Sequence, residues 1–325
     1  MKRVLSGMRP TGKLHLGHWV GALSSWVSLQ DKYECFFMVA DWHALMSEYK
    51  NPSSLKDVAL DNVADWISWG ISSKKSTIFI QSDIKEHLDL FMVFSILTPL
   101  GWLYRCPTFK EQIKQLEAKE INTHAFLGYP VLQSSDILLY KADYVPVGED
   151  QLPHLELARE IVRRFHFIYN KEIFPEPKPL LTEVPRLLGL DSRKMSKSYD
   201  NCIYLSDEDE TIKNKVSSMI TDPQRIRKTD PGRPEVCNVY SYYKAFLPQK
   251  DKEVSSWCRK AQKGCTECKG ILAEEFCDLI RPRRENKKEL LGDKKKLLSI
   301  LEEGKEKAHR EASKTWKEVK KLVGF

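Results

Sequence analysis

Along this chain, short unbroken apolar runs alternate with longer stretches in which apolar residues recur every three or four positions. The runs lie in residues 2–8, in Cys35-Phe36-Phe37-Met38-Val39-Ala40, in Thr77-Ile78-Phe79-Ile80-Gln81 and in Val145-Pro146-Val147. Runs of this length suit strands buried on both faces of a parallel sheet. Between them, Trp19, Val20, Leu23, Trp26 and Val27 predict a helix ending near Lys32, and Asn51-Pro52-Ser53-Ser54 caps another through Val63, Trp66 and Trp69. Strand–helix alternation predicts an α/β fold with a doubly wound parallel sheet of Rossmann type.

Residues 85–120 read as a helical insertion of two helices around Pro99-Leu100-Gly101, in which Tyr104, Arg105, Phe109 and Lys110 are candidates to touch a partner. Phe174-Pro175-Glu176-Pro177-Lys178-Pro179 reads as a stiff linker. From Asp207 onward the pattern is helical and polar. Three parts are expected: 1–195, a mostly helical 196–305, and a final helix over 306–325. That helix carries Ala308, Ala312, Trp316, Val319, Leu322 and Val323 as a stripe that packs back on the body.

Composition narrows the class. An apolar share of 42% with 30% charged residues fits a globular protein, and no run approaches a membrane span. Met1-Lys2-Arg3 leads into a strand rather than a signal peptide, so the cytoplasm is the expected compartment. The net charge of +7 is concentrated in residues 281–325, which hold 15 lysines and arginines against 8 acids. A basic end suggests a surface facing a polyanion. Eight cysteines in a cytoplasmic chain do not predict disulfides, and Cys35 reads as a small buried hydrophobe.

Candidate chemistry gathers in few places. Pro10-Thr11-Gly12-Lys13-Leu14-His15-Leu16-Gly17-His18 follows a strand and opens a helix. A helix start offers free N–H groups to phosphate, and two imidazoles there add donors for oxygens that gain charge. Lys194-Met195-Ser196-Lys197-Ser198 forms a lysine-rich loop far downstream. Tyr129, Gln133 and Asp136, with Tyr140, share one helix face among leucines and isoleucines, where an unpartnered carboxylate is costly. Asp41-Trp42-His43 and Val147-Gly148-Glu149-Asp150-Gln151 sit at strand ends, where open α/β sheets place ligands. The dinucleotide glycine fingerprint is absent, so nicotinamide chemistry is not indicated. Cys237, Cys258, Cys265 and Cys268 give the spacing C-x20-C-x6-C-x2-C. By donor chemistry it admits tetrahedral Zn²⁺ or a 4Fe–4S cluster.

His15-Leu16-Gly17-His18 and Lys194 to Ser198 together resemble the HIGH and KMSKS signatures of class I aminoacyl-tRNA synthetases. With Leu5-Ser6-Gly7-Met8-Arg9-Pro10-Thr11-Gly12, the tyrosine–aspartate helix and Val147 to Gln151, the resemblance becomes one to bacterial tryptophanyl-tRNA synthetases over nearly the whole length. It implies a catalytic domain (1–195), a helical anticodon-binding domain (196–305) and a homodimer. It also implies two steps: L-tryptophan and ATP give tryptophanyl-adenylate, and the aminoacyl group passes to tRNA(Trp). His15, His18, Lys194 and Lys197 would be catalytic, with Mg²⁺ bridging phosphate oxygens. Arg9, Pro10, Thr11, Gly17, Gly148, Glu149, Asp150, Leu187, Met195, Ser196 and Ser198 match nucleotide-contact positions. Leu5, Gly7, Val39 and His43 would line the tryptophan pocket, and Tyr129, Gln133 and Gln151 would hold the ammonium and carboxylate. Asp136, expected as a lone buried acid, would accept the indole N–H, the only polar group on that side chain.

Two other readings stand beside this one. A tyrosyl enzyme shares the Tyr-X-X-X-Gln-X-X-Asp pattern, and Gln133 favours it, but Leu5 offers no partner to a phenol oxygen. A non-catalytic nucleotide-binding paralogue is the second, and the intact histidine and lysine motifs weigh against it. Some synthetases similar to this chain hold a 4Fe–4S cluster on cysteines at nearly this spacing, so the resemblance favours the cluster over Zn²⁺.

Overall fold

A computed structural model of the chain describes residues 1–106, 123–181 and 187–325. Phe109 and Lys110, and the side chain of Ser198, lie outside the described residues. Five strands form one parallel sheet: β1 (Arg3–Met8), β2 (Glu34–Val39), β3 (Ser76–Ile80), β4 (Tyr144–Val147) and β5 (Lys178–Leu181), in the order β3-β2-β1-β4-β5. Val4 pairs with Cys35 on one side and Tyr144 on the other. The first four strands coincide with the apolar runs in the sequence.

The fifth strand corrects the linker expectation. Lys178–Leu181 pairs along β4, with Pro179 opposite Val145. Proline cannot donate to a ladder, and β5 is an edge strand, where that loss is tolerated.

Each face of the sheet carries its own core. Val4, Phe37, Val39 and Ile78 point to one side with Trp26 and Trp66. Leu5, Phe36, Met38 and Phe79 point to the other with Tyr140 and Phe165. The side-chain period of two divides the strands this way. Because both sides are apolar, the strands read as continuous runs.

After β3 the chain crosses to the far side of β1, so the order reverses between β1 and β4. Ligands in open α/β sheets bind at such a reversal, outside the carboxyl ends of the strands. Arg9, Ala40 and Gly148 follow directly on β1, β2 and β4.

Downstream of the sheet the chain is helical: Asp209–Ser218, Asn238–Phe246, Asp251–Arg259, Cys265–Gly292 and Lys294–Val323. The Cys265–Gly292 helix packs on the Leu55–Ser68 helix through Lys287, whose ammonium lies 2.9 Å from both Asp61 and Asp65. The Lys294–Val323 helix runs unbroken through position 305/306, so the boundary expected there is not a break in the chain. It lies against the sheet. Ala308, Ala312 and Val319 are buried with the second core, and a Cβ on Gly304 would overlap the carbonyl of Ile78. No described helix is long and apolar enough to cross a membrane.

Candidate active site

His15 caps the helix start at Leu16. Its Nδ1 accepts from the Gly17 N–H at 3.1 Å, and His18 Nδ1 accepts from the His15 N–H at 3.1 Å. Each Nδ1 is thereby occupied as an acceptor, which leaves the proton on Nε2. The rings stand 3.9 Å apart. Burial, followed by the nearby Lys197 cation, pushes His15 down to about 4. Burial, then His15 and Lys197, pushes His18 down to about 3. At neutral pH both are therefore uncharged N–H donors, held rigid by the chain turn that carries them. A Cβ at Gly17 would press on the His15 ring, so this turn needs a glycine.

The lysine loop closes over this helix start. The Leu16 N–H donates to the Ile203 carbonyl at 2.9 Å, and the Leu205 N–H to the Leu14 carbonyl at 2.9 Å. Met195 is buried beside Gly17, and Lys197 Nζ donates to the Thr11 carbonyl at 3.2 Å. Burial first, with Arg9 adding, lowers the Lys197 pKa. Lys194 is exposed on the same loop, and Leu187 packs against the first core. Two motifs far apart in sequence thus meet at the crevice.

Beside them opens a cavity of about 330 Å³ lined by Leu5, Gly7, Arg9, His43, Tyr129, Gln133, Asp136, Gly148 and Gln151, among others. Tyr129, Gln133 and Asp136 come to it from one face of the His124–Leu139 helix, as their spacing predicts. Val39 does not line it. Its side chain belongs to the opposite core, and its neighbours Met38 and Ala40 face the cavity instead. Glu149 and Asp150 sit exposed just past β4, with Asp150 accepting from Gln151 Nε2 at 3.0 Å.

Asp136 is not the lone acid expected. Its Oδ1 accepts from Gln81 Nε2 at 2.8 Å and from His87 Nδ1 at 2.7 Å, and its Oδ2 lies 2.8 Å from His43 Nε2. The carboxylate can only accept, so His87 donates from Nδ1, and its Nε2 meets the Tyr140 hydroxyl at 2.9 Å. Burial alone would push the Asp136 carboxyl up, but the hydrogen bonds from His43 and His87 outweigh it and hold the pKa below the usual carboxylate range. The carboxylate therefore stays ionised inside an apolar wall, and its position is set by three donors.

Sequence reasoning missed Gln81 and His87, and it missed His154. His154 Nδ1 bonds Gln151 Oε1 at 2.9 Å and its Nε2 bonds the Tyr129 hydroxyl at 2.7 Å, so one buried imidazole ties together two cavity residues. Burial pushes it down to about 4. Gln81 and His87 reach Asp136, and Tyr129 reaches His154, from other elements; only the Gln151–His154 bond, three residues apart, is local.

The four cysteines are free thiols on one pocket of about 30 Å³, shared with Arg225, Trp257 and Lys263. Cys268 is pushed up to about 12, by burial first and by Cys237, Cys258 and Cys265 beside it. Arg225 Nη1 approaches Cys265 Sγ at 3.9 Å, and Arg225 Nε is buried without a partner among the described residues. Among the described residues no group of three or more His, Cys, Asp or Glu is arranged to hold a metal ion.

A parallel sheet whose reversal point carries two neutral histidines and a lysine loop closed on them has the architecture of a class I tRNA synthetase. Residues 1–280 match the family described as tRNA synthetases class I (W and Y), to which the chain belongs. It is 46% identical over 326 residues to the tryptophan–tRNA ligase of Thermotoga maritima, covering 99% of both, and 42% identical to that of Aquifex aeolicus, covering 99% of this chain and 100% of the relative. The crystal structure of Campylobacter jejuni tryptophanyl-tRNA synthetase complexed with ADP and tryptophan matches with a TM-score of 0.90 at 35% identity, covering 99% of this chain and 100% of that one. Within the family the chain belongs with the tryptophan–tRNA ligases.

Proposed function

We propose that this tryptophan–tRNA ligase divides its two-step reaction among the residues gathered at the sheet reversal. The tryptophan carboxylate attacks the α-phosphorus of ATP in line; a C–O–P bond forms, a P–O–P bond breaks, and pyrophosphate leaves with its charge. The carboxylate is already ionised, so no general base is needed, and catalysis reduces to positioning and charge stabilisation. His15 and His18 offer Nε2–H donors to the phosphate oxygens. Lys194 and Lys197 meet the leaving pyrophosphate, and Met195, Ser196 and Ser198 shape the loop that brings them. The second step passes the acyl group to a hydroxyl of tRNA(Trp) and releases AMP.

The side chains of His15, His18 and Lys197 are nitrogen donors, so Mg²⁺ would be held mainly by the nucleotide's own phosphates, whose charge it would neutralise. Arg9, Pro10, Thr11, Gly17, Gly148, Glu149, Asp150 and Leu187 frame the nucleotide. Leu5, Gly7 and His43 wall the indole, Asp136 accepts its N–H with a lone pair left over from its three donors, and Tyr129, Gln133 and Gln151 take the amino acid's ammonium and carboxylate. Residues 1–195 form the catalytic part and the helices beyond it the anticodon-reading part, with the basic end facing tRNA, in the cytoplasm.

The homodimer belongs to this reading. Met92, Ile96, Leu100 and Tyr104 form an exposed apolar row on neighbouring helices, Ile96 being 76% exposed. So does a 4Fe–4S cluster on Cys237, Cys258, Cys265 and Cys268, which would brace the helical region. Its support is the shared pocket and the unpartnered Arg225 nitrogen beside it, which suits thiolate charge. Iron and acid-labile sulfide in protein purified without oxygen test it; zinc, or neither metal, overturns it.

The observation that carries the assignment of roles is the lysine loop bonded across to the histidine turn at the mouth of the Asp136 cavity. ATP–pyrophosphate exchange with tryptophan and tyrosine in parallel tests the reading. Only tryptophan should drive exchange, and equal or greater exchange with tyrosine would defeat it.

A further inference from the structure

The lysine loop is held by a residue outside its signature. Asn201 is 3% exposed, and its side chain spans the loop from inside. Its Oδ1 accepts from the Ser196 N–H at 2.9 Å, while its Nδ2 donates to the Lys194 carbonyl at 3.1 Å and to Asp191 Oδ1 at 2.8 Å. Its own carbonyl accepts from the Leu190 N–H at 2.9 Å. One amide thus grips both limbs of the turn that carries Lys197. The short Lys197–Tyr199 helix ends at Asp200 in a left-handed conformation (φ 48°), so the chain reverses directly into Asn201.

Few side chains could do this. The position needs an acceptor for Ser196 and donors for Lys194 and Asp191 on one short stem, which asparagine alone supplies at this length. The surroundings are cut to fit: a Cβ at Gly189 would overlap the Asn201 amide. The base of the loop is fixed in turn by the helix Asn238–Phe246, where Asn238 Nδ2 donates to the Gly189 carbonyl at 2.6 Å and the Tyr242 hydroxyl to the Leu188 carbonyl at 2.6 Å.

We propose that Asn201 is a positioning residue for adenylate formation: its amide, braced by Asp191, sets the turn that delivers Lys197 to the triphosphate. The proposal rests on the reading of Lys197 as a phosphate-binding group. A reacting geometry displaced by about 1 Å can cost about 10²-fold in rate. Loss of the amide should therefore act on the chemical step and spare the tryptophan cavity, to which Asn201 contributes no wall.

The test is ATP–pyrophosphate exchange by the full-length chain carrying Asn201→Ala, Lys197→Ala or both, beside tryptophan binding measured without ATP. Asn201→Ala should lower kcat by about 10- to 100-fold and leave the tryptophan Kd within about twofold. The double variant should be no slower than Lys197→Ala, because residues acting as a unit are not additive. Fully additive losses, or a kcat for Asn201→Ala within about twofold of the parent, overturn the proposal. Undiminished exchange in Lys197→Ala would instead sink the reading of the lysine loop itself. If Asn201→Ala loses its folded circular-dichroism signature, the exchanged pair decides. Asn201→Asp sets two carboxylates face to face, and adding Asp191→Asn restores a donor between them. Recovery of about tenfold in kcat is expected from the pair, and no recovery overturns the proposal.

Discussion

The ammonium of Lys197 lies 3.2 Å from the carbonyl oxygen of Thr11, although 186 residues of chain separate the two. Backbone bonds between residues 14–16 and 203–205 hold the segments together on either side. The cation therefore enters the crevice at the helix start that presents His15 and His18. In the proposed reading, replacing Lys197 with alanine removes a charge that meets the leaving pyrophosphate, and Lys197 contributes no wall to the Asp136 cavity. Exchange should slow by about 10² to 10³-fold, the cost typical of one lost oxyanion donor, with tryptophan affinity preserved. Exchange kinetics beside equilibrium binding check this; equal losses in both would mean that Lys197 merely holds substrate.

His15 and His18 give a pH signature. Folded, they titrate at about 4 and about 3; an unfolded histidine titrates at about 6.5. Between these values the unfolded chain binds more protons, so stability rises with pH across the window and is lost as pH falls from about 6.5. His18→Asn should flatten the urea midpoint against pH there, while an unaltered slope would show that the imidazole is not held neutral.

Asp136 also loses its stabilisation in acid, by keeping a charge rather than excluding one. Its folded pKa is depressed, so its stabilisation is fully present above the unfolded value of about 3.9 and is lost as pH falls through the lower folded one. Asp136→Asn turns an amide donor toward the donors of Gln81, His87 and His43. It should cost about 1–3 kcal/mol near pH 7, and the gap to the parent should close in acid. Discrimination against phenylalanine should fall toward that of a site with no indole acceptor, a loss of up to about 10⁴-fold. Exchange rates with both amino acids measure it, and undiminished selectivity would move the indole contact elsewhere.

Ile96→Glu places a charge in the exposed row of Met92, Leu100 and Tyr104. Burying an unpaired carboxylate in an interface is costly. Sedimentation should find the parent dimeric and this variant monomeric with its fold intact. A monomeric parent at micromolar concentration would remove the dimer.

The linker reading of 174–179 and the phase of Val39 failed for related reasons. Proline marks a break in the sequence, yet an edge position removes its penalty, and only the finished sheet shows that β5 is an edge. A strand buried on both faces carries no polar marker of its phase, so Cys35 to Ala40 could not say which of its residues face the cavity.

What the sequence determined by itself was whatever physical chemistry keeps local. Apolar runs placed four of the five strands, helical spacing aligned Tyr129, Gln133 and Asp136, and one turn fixed His15 against His18. Tertiary structure decided what depends on elements meeting. It brought Gln81 and His87 to Asp136, and His154 to Tyr129. Each of those polar groups is buried, and a buried polar group must find its partner wherever the packed chain puts one, at no fixed distance along the sequence.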